Sequence, residues 1–425
     1  MRLDYVDGIY PQIGTLIIPR LKDGYGKGVG PVYGAVMPSF PGGYIQGSHK
    51  FLTVLDFAPT VLDYYIKTEN FNNGTVLANW NDGDPNTITC VGLRNLTVNG
   101  PAQILPNAWG TSYTPIATGV ALQGSSFDVN GVRLTYIPGT GLILKDATNN
   151  ATSKYGIFDN ALSKVNDLFV HSVYKGVQQE LSGAYYHDLE IGNCITDAFV
   201  GTASCNLDQF SVNGADRGIV LASKCSISNG RVYARIGLYC GSGSNQSRIS
   251  GLDIGDSWYR GVKIDSNYNL VDGLTGIVRN TDSTYTDVSG LELNGAGNFV
   301  EATLTLKSGQ SNTNQSRLVT LGGSKQTVNL TGGWSTSYPQ ATAIQLSGNI
   351  TGSHIRANLS CNGGYALDLS ATTLDVTDGL GNVFDLTGVT VDQIKWPSSS
   401  TVPNLGEGNT LLIDGKLIQS HPDVW

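Results

Sequence analysis

Three carboxylates stand close together in the chain, at Asp167, Asp188 and Glu190. On an extended strand Asp188 and Glu190 would share one face about 6.6 Å apart. That lies between the spacings with which retaining and inverting glycosidases hold their paired carboxylates, roughly 5 to 9 Å. Asp167 precedes Asp188 by 21 residues, so in a stacked repeat the two would be neighbours. Like charges so placed favour keeping one of them protonated, as a general acid requires. These three are the candidate catalytic residues for glycan hydrolysis or elimination; the competing reading is three ordinary solvated acids.

Aromatic and basic residues follow the acids. Tyr185, Tyr186, Tyr233, Tyr239, Trp258 and Tyr259 are interleaved with Arg217, Arg231, Arg235 and Arg260, and Asp253 lies among them. Aromatic faces stack on the apolar faces of sugar rings while Arg and Asp bond the hydroxyls. Tyr185, Tyr186, Arg231, Tyr233, Asp253, Trp258, Tyr259 and Arg260 are therefore the candidate substrate-binding residues. The alternative is that some of these rings pack between subunits.

Other chemistries have no signature. There is no Gly-x-Ser-x-Gly, no phosphate-cradling loop and no His-Glu-x-x-His. The histidines (His49, His171, His187, His354, His421) are dispersed, and the six cysteines have no Cys-x-x-Cys spacing, so no metal site, disulfide framework or cofactor is expected. The cysteines read as small buried apolar residues. With a net charge of -8 and no basic stripe, nucleic acid is not an expected partner. No stretch is long and apolar enough to insert in a membrane, and the N-terminus lacks a signal-peptide pattern.

The elements that must position these residues are strands. Gly 54 and Pro 15 with only 14% charged residues in 425 is a composition of many turns and few exposed helices. An apolar-variable-apolar motif recurs at Leu168, Leu189, Phe210, Val232, Leu252 and Leu274 in steps of 20 to 22 residues. A second motif, a small residue followed by an apolar one, travels in phase with it at Val177, Phe199, Ile219, Leu238 and Val262. Each repeat thus holds at least two short strands that pair with their counterparts one repeat later, which is parallel stacking of coils.

The stretches Cys90-Val91-Gly92-Leu93-Arg94-Asn95-Leu96-Thr97-Val98-Asn99-Gly100 and Phe127-Asp128-Val129-Asn130-Gly131-Val132-Arg133-Leu134 resemble coils of the pectate-lyase-like superfamily. The resemblance covers roughly residues 45 to 395. It implies an all-β, right-handed, single-stranded parallel β-helix with three sheets per coil, most like a phage tailspike or polysaccharide depolymerase. The catalytic patterns of the superfamily are not matched: Asn280-Thr281-Asp282 has the look of a polygalacturonase motif, but the Asp pair and Gly-His-Gly that should follow are missing, as is a calcium-binding acidic cluster.

Four regions are expected: a cap or virion-attachment segment over 1–44, the main β-helix over 45–300, further coils or a small β-domain over 301–395, and a linker with terminal strands over 396–425. The expected function is a tailspike-like, virion-located receptor-binding protein that binds a bacterial surface polysaccharide and, if catalytic, depolymerises it as a hydrolase or lyase. Tailspikes of this type imply a homotrimer docked on a tail or adaptor protein through residues 1–44. The alternatives are a non-enzymatic fibre, decoration or adhesive β-helix, and a secreted pectinase-like enzyme.

Overall fold

The computed structural model describes residues 14–18, 33–37, 44–57, 64–68, 91–100, 117–123, 127–145, 163–257, 259–279, 287–307, 315–374, 381–396, 405 and 408–420. The chain forms two compact units, Met1–Ile219 and Val220–Trp425. Among the described residues the only helix is the short 3-10 turn Val391–Gln393.

In the first unit, long strands stack in parallel: Val91–Asn99, Phe127–Thr135, Lys164–Val173, Ala184–Cys194 and Cys205–Asn213. A second parallel sheet stacks the shorter Tyr64–Thr68, Thr118–Gln123, Thr140–Lys145, Lys175–Glu180 and Asp197–Gly201. The second unit repeats the plan. Its long strands run from Ser226–Tyr233 through Arg248–Ser257, Leu270–Arg279, Phe299–Lys307, Thr327–Trp334, His354–Cys361 and Val383–Thr387 to Thr410–Ile413. Parallel neighbours must be joined by crossovers, which in one sheet are right-handed. Each unit is a right-handed parallel β-helix. The coils continue past residue 300, and Thr410–Ile413 ends in an antiparallel hairpin with Lys416–Ser420. Within the segment 1–44, Gly14–Ile18 and Tyr33–Met37 also pair in parallel, with Thr53–Phe57 and Tyr64–Thr68.

The register explains the sequence motif. Leu168 faces Leu189, which faces Phe210, and all three are buried. Stacked inward side chains of this kind make a continuous core, each contributing about 1.5–3 kcal/mol of burial. One step of the expected phase is corrected: Leu252 lies opposite Gly230, not Val232. The cause is that Gly230 fills the column position, so the next buried apolar residue is Val232. The column itself is set by a residue in left-handed conformation in the middle of each long strand up to Leu270–Arg279.

That residue recurs as Asn95, Gly131, Asp167, Asp188 and Gln209 in the first unit, and as Asn229, Gly251 and Gly273 in the second, all with φ between 49° and 67°. The register skips this position: Asn166 pairs with His187 and Leu168 with Leu189, while Asp167 and Asp188 are passed over, as are the left-handed Ser172 and Asn193 near the strand ends. A left-handed residue turns the strand, so each of these long strands is two arms meeting at a bend, and with the short strand such a coil has three sides. Asn, Asp and Gly tolerate this conformation best, which accounts for most of the column.

In the second unit the core side of each coil carries a ladder of buried polar side chains. The backbone N–H groups of Cys225, Ser247, Asn269, Asn298, Gln326, Ser353 and Asn382 donate in turn to side-chain oxygens of Ser247, Asn269, Asn298, Gln326, Ser353, Asn382 and Asn409, at 2.9 to 3.2 Å. Each of these residues directly precedes a long strand, where the chain turns and its N–H would otherwise lack a partner. The coil length grows along this ladder from 22 residues to between 27 and 29.

Candidate functional site

Alternation sends one residue in two of each arm outward, and the bend sends out an extra one. In Ala184–Cys194 the exposed residues include Tyr185, Asp188 and Glu190, with His187 half-buried between them. The bend thus concentrates polar side chains on the outward face of the long-strand sheet in the first unit.

In the first coil the corresponding bend is enlarged. Tyr44–Gln46 pairs with Gly92–Arg94, and Thr53–Phe57 resumes opposite Thr97–Asn99. The intervening loop, held at its start by Gly47 N–H donating to the Arg94 carbonyl at 2.8 Å, crosses the following coils. Thr97 Oγ1 donates to the Lys50 carbonyl, and Lys50 Nζ lies 2.6 Å from Asp167 Oδ1 and 2.7 Å from Oδ2. Phe51 lies over the Arg133 guanidinium, 4.6 Å from its ring centroid, and Phe169 covers it at 4.6 Å as well. Phe51 and Leu52 remain exposed.

Beyond Phe169 the same face carries His171, whose ring stacks on Phe169 at 5.7 Å. His171 Nδ1 meets Ser172 Oγ at 2.9 Å, and Nε2 meets Asn193 Nδ2 at 3.1 Å. Gly192 stands opposite His171, and a Cβ there would lie 2.8 Å from the ring. Burial lowers the His171 pKa; the Glu190 carboxylate opposes that shift and the Arg133 guanidinium adds to it. Across the bend, Tyr185 stacks on His187 at 6.4 Å, and His187 Nδ1 lies 3.2 Å from Asp208 Oδ2.

The expected site residues divide as follows. Asp188, Glu190 and Tyr185 are exposed together on this face. Asp167 is there too, but its carboxylate is bound by Lys50, so the expected pair of bare stacked acids is corrected to one free acid and one ion pair. Tyr186 was expected outward and is fully buried, edge-on to Phe199 at 5.1 Å. The bend is the reason: both His187 and Asp188 point outward, which reverses the alternation on its N-terminal side.

Arg231, Tyr233, Asp253, Tyr259 and Arg260 belong to the second unit. Arg231 and Asp253 form an exposed pair at 3.5 Å beside the exposed Tyr233. Arg260, expected to bind sugar, is buried beneath ion pairs to Glu292 and Asp287, with its guanidinium 4.2 Å from the centre of the Tyr259 ring. It is a structural cation, for a buried guanidinium must be paired. Burial would raise the Glu292 pKa, but Asn294 and Arg260 outweigh it and hold the carboxyl below its usual range. Trp258 lies outside the described residues.

Sequence reading missed Lys50, Phe51, Arg133, Phe169, His171, His187 and Asp208. Arg133, Phe169 and Glu190 occupy one column in register, a signal concealed by the change of step from 36 to 21 residues. Phe51 and Lys50 reach the face only through the enlarged bend. Among the cysteines, Cys194, Cys205, Cys225 and Cys240 are buried, Cys361 is half-buried, and Cys90 is outside the described residues. Burial pushes the thiols of Cys240 and Cys361 up to about 12.

No protein-family model and no curated protein sequence matches the chain. A search of solved structures finds the A-module of the mannuronan C-5 epimerase AlgE4 of Azotobacter vinelandii, at 13% identity over 92% of this chain and 91% of that one, with a TM-score of 0.35.

Proposed function

We propose that the chain is a polysaccharide-binding parallel β-helix whose glycan lies along the outward long-strand face of the first unit. One observation carries the reading: an exposed Tyr185, two uncovered carboxylates at Asp188 and Glu190, and the Phe51, Arg133 and Phe169 cluster stand around the bend on the outward side of neighbouring coils. Rings of this kind take the apolar faces of sugars while acids and cations bond the hydroxyls. In the finer reading the chain is a tailspike-like receptor-binding protein on a virion, homotrimeric, attached through residues 1–44, and its glycan is a capsule or lipopolysaccharide.

If the site is catalytic, Asp188 and Glu190 are the acid/base pair and Asp167, tied to Lys50, is a positioning residue. Incubation with purified host polysaccharides then yields new reducing ends for a hydrolase or unsaturated sugars for a lyase. Asp188→Asn and Glu190→Gln each lower turnover by about 10² to 10⁴ while leaving binding and melting temperature unchanged. Full activity in both variants places the chemistry elsewhere.

A binding-only role is the second reading, favoured by the Lys50–Asp167 pair, which removes one of three carboxylates from chemistry. Glycan binding without product formation over days supports it. Sedimentation at micromolar concentration tests the trimer, and a monomer there argues against the tailspike form of the reading.

A further inference from the structure

We infer that Arg133 is an anion-binding position of this face, so that the glycan it takes is acidic and places a carboxylate, sulfate or phosphate group on the Arg133 guanidinium. The inference rests on the polysaccharide reading above and adds the ligand's charge and the residue that selects it.

The guanidinium carbon lies over the rings of both Phe51 and Phe169, 4.6 Å from each centroid. Its Nε is buried with no hydrogen-bond partner, and among the described residues no carboxylate pairs with it. Other arginines of the two units differ: Arg94 is paired with Asp128, Arg217 with Asp197, Arg260 with Glu292 and Asp287, and Arg317 with Asp287. Stacking on two rings fixes the plane of a guanidinium and strips water from its faces, leaving its N–H edge to bond an anion. A planar fork so held loses little entropy on binding a carboxylate or phosphate in bidentate fashion.

The neighbours leave the charge uncompensated. Lys50 and Asp167 neutralise one another, and the lowered pKa of His171 keeps its ring neutral near pH 7. Glu190 is two coils away in the same column, roughly 9.6 Å by strand spacing, about one Debye length at physiological salt. It leaves room for an anion at Arg133 while facing the adjoining sugar.

The test uses the full-length protein and a panel of bacterial polysaccharides: neutral, uronate-bearing, pyruvylated, sulfated and phosphorylated. The tightest uronate or pyruvate binder is also presented after chemical reduction of its carboxyl groups. An acidic member is expected to bind best, with carboxyl reduction weakening it at least tenfold. Arg133→Gln should cause a similar loss and then bind the acidic and reduced forms alike, a non-additivity that a merely structural role for Arg133 would not produce.

Should Arg133→Gln fail to fold, Arg133→Lys, which keeps the charge but not the stacked fork, is read in the same way. A neutral polysaccharide as tightest binder overturns the inference and leaves polysaccharide binding standing, as does a variant that still distinguishes acidic from reduced glycan. If nothing in the panel binds, the polysaccharide reading falls and the inference falls with it.

Discussion

The coils that bend and the coils that do not are built on the same kind of core yet present different surfaces. Up to Leu270–Arg279, each complete long strand carries a left-handed residue near its middle, and around it two successive side chains face outward, as His187 and Asp188 do. At the next strand the bend is lost. Val271 and Leu274 pair with Val300 and Ala302, so one residue fewer is needed, and Phe299–Lys307 alternates strictly between exposed and buried. His354–Cys361 does nearly the same. A straight strand spaces its outward side chains evenly along a line. A bent one gathers them at a corner, and in the first unit that corner holds Tyr185, His187, Asp188 and Glu190. One extra residue per coil is thus enough to set two successive side chains outward on a wall that otherwise alternates.

If the two kinds of coil have the same kind of core, truncating it should hurt both equally. Leu189→Ala in a bent coil and Leu330→Ala in a straight one should each cost about 2–5 kcal/mol by leaving a cavity, as read from denaturant unfolding. Both side chains are buried. A large inequality would mean that one kind of coil relaxes around the void, and the comparison would need redrawing.

The buried polar ladder, which runs through bent and straight coils of the second unit alike, should matter more than a polar contact on the outward side. Asn298→Ala leaves the Asn269 N–H without its acceptor in a buried place and should cost about 1–3 kcal/mol. Asn130→Ala, on the outward side of a bent coil where Asn130 accepts only a long bond of 3.3 Å from Asn166, should change stability by no more than about 0.5 kcal/mol.

A smaller effect tests the bend itself. Asp188 has φ 55°, a conformation that a β-branched residue resists, so Asp188→Val should cost about 1–2 kcal/mol. Thr303→Val, exposed in a straight strand, should be close to neutral in the same melting series. Equal costs would argue that the left-handed column is not what shapes the corner.

The smallest expected difference is in pH dependence. The His171 pKa is lowered on folding, so the unfolded chain binds the proton more readily. The His171 contribution is fully present above the ordinary histidine value of 6.5 and is lost as pH falls through the window below it. The Glu292 pKa is also lowered, and its contribution is present above 4.5 and lost at more acid pH. Stability profiles of His171→Asn and Glu292→Gln should therefore depart from that of the parent in two separate windows, the first nearer neutrality.

The inward column Leu168, Leu189 and Phe210 was legible because burial imposes a period on residue type, and stacking repeats that period every coil. The parallel β-helix followed from it, as did the outward placement of Asp188 and Glu190. The inward turn of Tyr186 was not legible, because a left-handed Asp188 leaves no mark in composition and reverses every side chain before it. Nor was the lengthening of the coils from 22 to 27–29 residues, since the ladder's Asn, Gln and Ser residues are indistinguishable from turn residues until their partners are seen. The pairing of Lys50 with Asp167 and the seating of Arg133 against Phe51 and Phe169 join residues as many as 117 and 118 positions apart in the chain. Period and polarity are properties of neighbours along the chain, so the sequence determines the coil; which charge is neutralised and which is left open depends on side chains that meet only after the coils have stacked.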